Sequence, residues 1–160
     1  MGNLIIYNSS FFKKRVHLLF ITVALILGGL IYILFRTHEP QFFTLFTKFG
    51  LDNWLNSVRQ SSLSASAILP KWVIFSLPNG LWAFAYTLLI LVIWSGSKAK
   101  IRYFWLITIP VLVLGFEALQ YTGTIQGTFC IQDIIFGVLG ISIGILIGNK
   151  ITKNHEKITV

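Results

Sequence analysis

The sequence predicts an all-α integral membrane protein: a bundle of four transmembrane helices with a longer extracytoplasmic loop between helices one and two. Three observations carry that expectation. Of 160 residues, 55% are hydrophobic and only 11% are charged, against about 25% charged in a soluble domain; the mean hydropathy is +0.77. Uncharged stretches recur at roughly the 20 residues that a bilayer span requires. Basic clusters separate them in a pattern that alternates along the chain. This composition excludes an ordinary cytosolic enzyme, a disordered tail and a soluble nucleic-acid binder. A lone cysteine, Cys130, leaves no internal disulfide and no His/Cys spacing suited to zinc.

Helix one is expected over 16–36, after a cytoplasmic segment 1–15 that carries Lys13, Lys14 and Arg15. Its uncharged core exceeds the ~7–15 residues of a signal peptide, and Phe35-Arg36-Thr37-His38-Glu39 offers no small-residue cleavage site. It therefore reads as a retained signal anchor, with Gly28-Gly29 as a packing notch. Residues 37–71 are more polar and rich in serine. Within them Phe42, Phe43, Leu45, Phe46, Phe49, Trp54 and Leu55 recur mostly at helical spacings. Two readings fit: an amphipathic segment lying in the membrane interface, or a helix packed over the bundle.

Residues 72–148 hold the other three spans. Helix two, 72–94, is interrupted near its start by Pro78-Asn79-Gly80. Proline disfavours helix at the residue before it, so the helix proper is expected to begin around Pro78 or Asn79. A basic loop with Lys98, Lys100 and Arg102 precedes helix three, 103–121, which contains Pro110 and Glu117. A connection with Gly123, Gly127 and Cys130 leads into helix four, 132–148, and a basic tail, 149–160, follows with Lys150, Lys153 and Lys157. Trp72, Trp82, Trp94 and Trp105 fall near these boundaries and read as interface anchors.

The charges orient the bundle. With the N-terminus inside, nine of the 13 basic residues face the cytoplasm, while Arg36, Lys48, Arg59 and Lys71 lie in the one long outer loop. The positive-inside rule thus places both termini in the cytoplasm. It also accounts for most of the net charge of +8 without a nucleic-acid partner.

Only five carboxylates exist, and Glu39, Asp52 and Glu156 sit in polar segments. Glu117 lies roughly 6 Å inside the outer end of helix three, counted at ~1.5 Å per residue, and Asp133 opens helix four. Ionisable groups at such depth usually face the bundle interior and pair or function. Glu117, Gln120 and Tyr121 are three and four residues apart and share a helix face. Asp133 stands above Gly137, Gly140, Gly144 and Gly148, a small-residue ridge of the kind that lets membrane helices approach closely. Asp133 also suits a capping role at a helix N-terminus, whereas no such role is evident for Glu117. If the two carboxylates converge, a shared proton, a bound metal or a cationic ligand group would resolve the meeting. No cofactor is expected, and whether a metal binds is left open. The scattered His17, His38 and His155 give Cys130 no partner for nucleophilic catalysis, so no catalytic residue is assigned.

Glu117-xx-Gln120, a turn, then Gly127-Thr128-Phe129-xxx-Asp133-Ile134-Ile135-Phe136-Gly137-xx-Gly140 resembles the VanZ-like family. That family has a small helical membrane bundle and an E-x-x-Q element before a last helix opened by D-x-x-x-N/G-x-x-G. The resemblance covers roughly residues 77–148 and places Glu117, Gln120, Asp133 and Gly137 at the family's positions. This chain departs from it at Pro78-Asn79-Gly80-Leu81-Trp82-Ala83-Phe84, where members typically carry an aspartate-lysine pair and a histidine. It also lacks the arginine that many members place before the final aspartate. The resemblance implies a bacterial envelope protein linked by name to glycopeptide resistance.

The expected function is therefore binding, at an outer-leaflet pocket of Asn79, Glu117, Gln120, Tyr121 and Asp133, of a lipid headgroup, a lipid-linked envelope precursor or an antibiotic-related ligand. The expected location is the bacterial cytoplasmic membrane, with membrane lipids as partners and a homo-oligomer or membrane-protein partner as possible company. A structural or accessory subunit is the alternative. An enzyme acting on a lipid-linked substrate, or a small proton-driven transporter oligomerised through the glycine ridge, ranks behind both.

Overall fold

A computed structural model of the chain describes residues 2–35, 48–66, 68–95, 97 and 99–156, excepting the side chains of 2–13, 52, 55, 63–65 and 151–156. Those residues form six helices and no strand: α1 (Gly2–Phe35), α2 (Asp52–Ser66), α3 (Lys71–Phe75), α4 (Leu77–Ile93), α5 (Ile101–Tyr121) and α6 (Ile131–Glu156). Three helical stretches are long and apolar enough to cross a membrane: Lys14–Phe35, Ile101–Tyr121 and Ile131–Lys150. At ~1.5 Å per residue they measure about 30 Å or slightly more, the thickness of a hydrocarbon core. Helix α4 is apolar but shorter, at 17 residues.

The expected helix two is divided. Pro78 has no N–H to offer the Ile74 carbonyl and its ring crowds the preceding turn. The chain therefore makes the short α3, breaks at Ser76 and restarts at Leu77, with Pro78 in the first turn of α4. That start is one residue earlier than the proline rule suggests. Helices α1 and α6 overrun their expected ends. Nothing in Lys13-Lys14-Arg15 or in Lys150-Ile151-Thr152 stops a helix, so α1 begins before residue 16 and α6 continues past residue 148. The apolar cluster at Phe42, Phe43, Leu45 and Phe46, together with Arg36, Glu39, Lys98 and Lys157, lies outside the described residues.

Short as it is, α4 is the centre of the molecule. Three stripes at helical spacing run along it, and each meets a different neighbour. Ala85, Leu88 and Val92 form a buried cluster with Ile21 and Ala24 of α1. Gly80, Thr87 and Leu91 face α6, where they stand against Gly140, Gly144 and Gly148 in turn. The order of these contacts makes α4 and α6 parallel. The third stripe, Asn79, Ala83 and Tyr86, is turned towards α5, with Trp82 at its edge reaching both the α5 side and Gly28 of α1.

The contact between α4 and α6 is the most extensive in the fold, and the glycines cause it. A Cβ on Gly140 would run into the Gly80 carbonyl oxygen, and one on Gly80 would lie 2.8 Å from the Phe136 carbonyl oxygen. The small-residue ridge of helix four, expected to let helices approach closely, is thus occupied inside the chain by α4 at Gly140, Gly144 and Gly148, the surface through which a transporter would have had to oligomerise. Gly137 is the exception: a Cβ there would press on the Val113 side chain of α5.

The Gly28-Gly29 notch also divides. Trp82 fills the space beside Gly28, its Nε1 2.6 Å from where a Cβ would stand, whereas nothing lies within 4 Å of such a position at Gly29. Tyr32 lies tilted against the same indole, ring centroids 5.5 Å apart and planes at 44°. Trp82 is therefore a packing residue between α1 and α4 rather than an interface anchor. We expect Gly28→Ala to lower the melting temperature of the detergent-solubilised protein by overpacking, worth about 1–3 kcal/mol. Gly29→Ala is expected to leave it unchanged or raise it slightly through the roughly 1 kcal/mol of better helix propensity.

Helix α2 lies against α1, while Phe49, Trp54 and Ile68 around it are largely exposed. Trp72 of α3 stacks on Phe136 of α6, centroids 5.3 Å apart and planes at 15°. That contact ties α3 to the same end of the bundle as the start of α6.

Candidate functional site

Between α4, α5 and the start of α6 lies a cavity of about 360 Å³. Two helical stripes make its long walls. On α4 these are Asn79, Trp82, Ala83 and Tyr86; on α5 they are Ile109, Leu112, Val113, Phe116, Glu117 and Gln120. Both follow the i, i+3, i+4, i+7 pattern of a single helix face. Asp133 closes one end from α6. The glycine ridge draws α4 onto α6, and the cavity opens on the α5 side of α4, lined there by Tyr86 and Phe116.

Its polarity is sorted along its length. Asn79 opens α4, Asp133 lies in the first turn of α6, and Glu117 and Gln120 lie in the last turns of α5. The four polar groups therefore gather at one end. From Gln120 back to Ile109 the α5 wall runs eleven residues, about 16 Å, and below Glu117 it is apolar throughout. Near the far end Tyr86 Oη and Thr108 Oγ1 approach to 3.4 Å. Among the described residues no lysine, arginine or histidine lines the cavity.

Each carboxylate has one firm partner. Asn79 Nδ2 donates to Asp133 Oδ2 at 2.9 Å, joining the starts of α4 and α6 across 54 residues of sequence. Cys130, immediately before α6, donates its backbone N–H to Glu117 Oε2 at 2.9 Å. Glu117, only 5% exposed, thus holds an N–H that a helix start leaves without an intrahelical partner. The sequence showed no capping role for Glu117; the structure supplies one from another helix. Asp133, the expected cap, uses its side chain laterally instead. Asp133 Oδ1 and Gln120 Oε1 are buried without a hydrogen-bond partner.

The connection between α5 and α6 is shaped to permit this. It turns at Gly123 (φ +70°) and again at Gly127 (φ +140°). At Gly127 a Cβ would also stand 2.6 Å from Gln120 Nε2, so both backbone and space call for glycine. The Gln120 side chain is pressed against that turn, at the edge of the cavity.

Four of the five expected ligand residues, Asn79, Glu117, Gln120 and Asp133, therefore line one cavity. Tyr121 does not: it is 77% exposed and meets Phe129 edge-on, centroids 5.5 Å apart. Helix geometry explains this, since Tyr121 lies 100° around from Gln120 and beyond the stripe that continues from Glu117. The sequence reading missed the apolar walls. Extending the spacing forward from Asn79 and backward from Glu117 would have found them. Among the described residues no group of three or more His, Cys, Asp or Glu side chains stands ready to hold a metal ion. Comparison of the chain with protein-family models, curated proteins and solved structures finds no match.

Proposed function

We propose that this chain is a VanZ-like, four-span protein of the bacterial cytoplasmic membrane that binds a lipid headgroup, envelope precursor or antibiotic-related ligand in a polar pocket at the outer leaflet. One observation carries the reading: residues from three helices converge on a single cavity, polar at one end and apolar along the rest. Ligand sites commonly occupy some 300–1,000 Å³ and combine apolar walls with a few convergent polar groups. Helix α4, preceded by α3, serves as the fourth span. Both termini are cytoplasmic, which puts Lys14, Arg15, Lys100, Arg102 and Lys150 at one face and the polar end of the cavity at the other. In this setting the protein is a binding or accessory component rather than a catalyst.

Two experiments test this. Gently purified wild type should retain a distinct small molecule, seen by mass spectrometry, that a folded Glu117→Gln/Asp133→Asn variant loses; identical bulk lipid in both would remove the binding reading. For the orientation, Cys130 is the only thiol and is partly buried, so a Thr124→Cys/Cys130→Ser variant gives an exposed probe in the same connection. An impermeant thiol reagent should label it in intact cells. Labelling only after the cells are opened would reverse the topology.

A second reading rests on the hydrogen bonds themselves. Glu117 on Cys130, and Asn79 on Asp133, already fix the start of α6 against α5 and α4. Carboxylates beside helix N-termini are also favoured by the helix dipole. In that reading the protein is a structural subunit, and neutralising both acids would alter stability alone.

A further inference from the structure

We infer that the cavity takes an amphiphile bearing a primary ammonium group and a single inserted alkyl chain, a narrower class than, and resting on, the binding function proposed above. The polar end holds more acceptors than donors. Asp133 Oδ1 and Gln120 Oε1 are buried and unpartnered, and Glu117 Oε1 takes no hydrogen bond among the described residues. Of the two amide groups placed there, Asn79 Nδ2 donates to Asp133 Oδ2 and Gln120 Nε2 is turned to the Gly127 side. Buried acceptors without donors are costly, and a primary ammonium supplies three N–H groups with the charge complementary to two carboxylates.

The same geometry argues against an anion. A phosphate- or pyrophosphate-linked precursor would meet two carboxylates with no basic side chain among the described residues of the cavity wall. A quaternary ammonium brings the charge but no N–H. The tail is argued from the walls: Ile109, Leu112, Val113 and Phe116 continue the stripe below Glu117. Leu112 and Phe116 are 51% and 55% exposed although they line the cavity, so the trough opens sideways along α5. At about 30 Å³ for each water-sized group, the share a water takes in the liquid, the volume of about 360 Å³ holds roughly twelve such groups, enough for a head and a chain of about ten carbons.

The test uses full-length protein in a neutral detergent at neutral pH, with binding followed by native mass spectrometry. The probes are decylamine, decyltrimethylammonium, decanol and decyl phosphate. Two variants accompany the wild type: Ala83→Trp, which fills the trough, and Glu117→Gln/Asp133→Asn, which removes charge and keeps the shapes. Decylamine is expected to bind wild type about tenfold or more tightly than any of the other three, the scale of a charge-assisted hydrogen bond. That preference should vanish in the charge-neutral variant and the binding itself in Ala83→Trp. Decyltrimethylammonium binding equally well would overturn the primary-ammonium assignment. Decanol or decyl phosphate binding as tightly as decylamine would overturn the cationic class while sparing the pocket. Uptake of all four that is the same in wild type and Ala83→Trp would overturn the pocket as well.

Discussion

Gly140→Ala is expected to unseat α6 from α4 and to be among the most damaging single-methyl additions in the chain. The added Cβ would collide with the Gly80 carbonyl oxygen, and the Phe84 backbone nitrogen lies 3.1 Å away. Both obstacles are helical backbone of α4, so no rotamer change relieves them. Overpacking of a core costs about 1–3 kcal/mol where side chains can adjust and more where they cannot. The roughly 1 kcal/mol of helix propensity gained by replacing glycine offsets only part of that. A fall of about 3 kcal/mol in unfolding free energy in mixed micelles, with loss of the Asn79–Asp133 contact, is the expected result. A stability within 0.5 kcal/mol of wild type, the usual range of surface substitutions, would mean that the α4–α6 approach is wrong.

The second large effect is a division at Glu117. Glu117→Leu strands the Cys130 N–H at the start of α6, and an unpaired buried donor costs about 1–3 kcal/mol. Glu117→Gln retains an acceptor oxygen there, so its stability should stay close to wild type. Ligand retention should behave differently, because glutamine keeps the shape and removes the charge. Leucine is thus expected to lower both the melting temperature and the bound ligand, and glutamine to lower the bound ligand alone. If glutamine destabilises as much as leucine, the carboxylate is holding the fold through its charge. Unchanged ligand with glutamine would move Glu117 to a purely structural role.

Much of this arrangement was legible because helices translate spacing into faces. Glu117 and Gln120 were placed on one face by their separation of three, and the four glycines of α6 by theirs. Spacing does not say which neighbour a face meets. The ridge at Gly140, Gly144 and Gly148 was recognised as a close-approach surface, yet its partner on α4 depends on Gly80 opposite it, which reads in sequence as part of a helix-breaking Pro-Asn-Gly. The hydrogen bond from Cys130 to Glu117 was not legible for a similar reason. It needs the turns at Gly123 and Gly127 to fold the chain back by a definite amount, and local pattern does not fix that amount. Tyr121 failed in the opposite sense: i+4 from Glu117 is near enough to share a face, but the cavity follows the other flank. Trp82 near a predicted boundary looked like an anchor, while its indole fits the gap left by Gly28.

The central claim is that the trough between α4 and α5 holds a specific molecule and not bulk lipid. Leu112 and Leu139 permit a direct comparison, since they are 51% and 50% exposed and only Leu112 lines the cavity. A photo-reactive amino acid is placed at each position in turn, and cross-links formed in intact cells are identified by mass spectrometry. The account predicts one distinct species, enriched from position 112 and lost when Glu117→Gln/Asp133→Asn is added, with ordinary membrane lipid from position 139. The same lipid distribution from both positions, indifferent to the two acids, would contradict it.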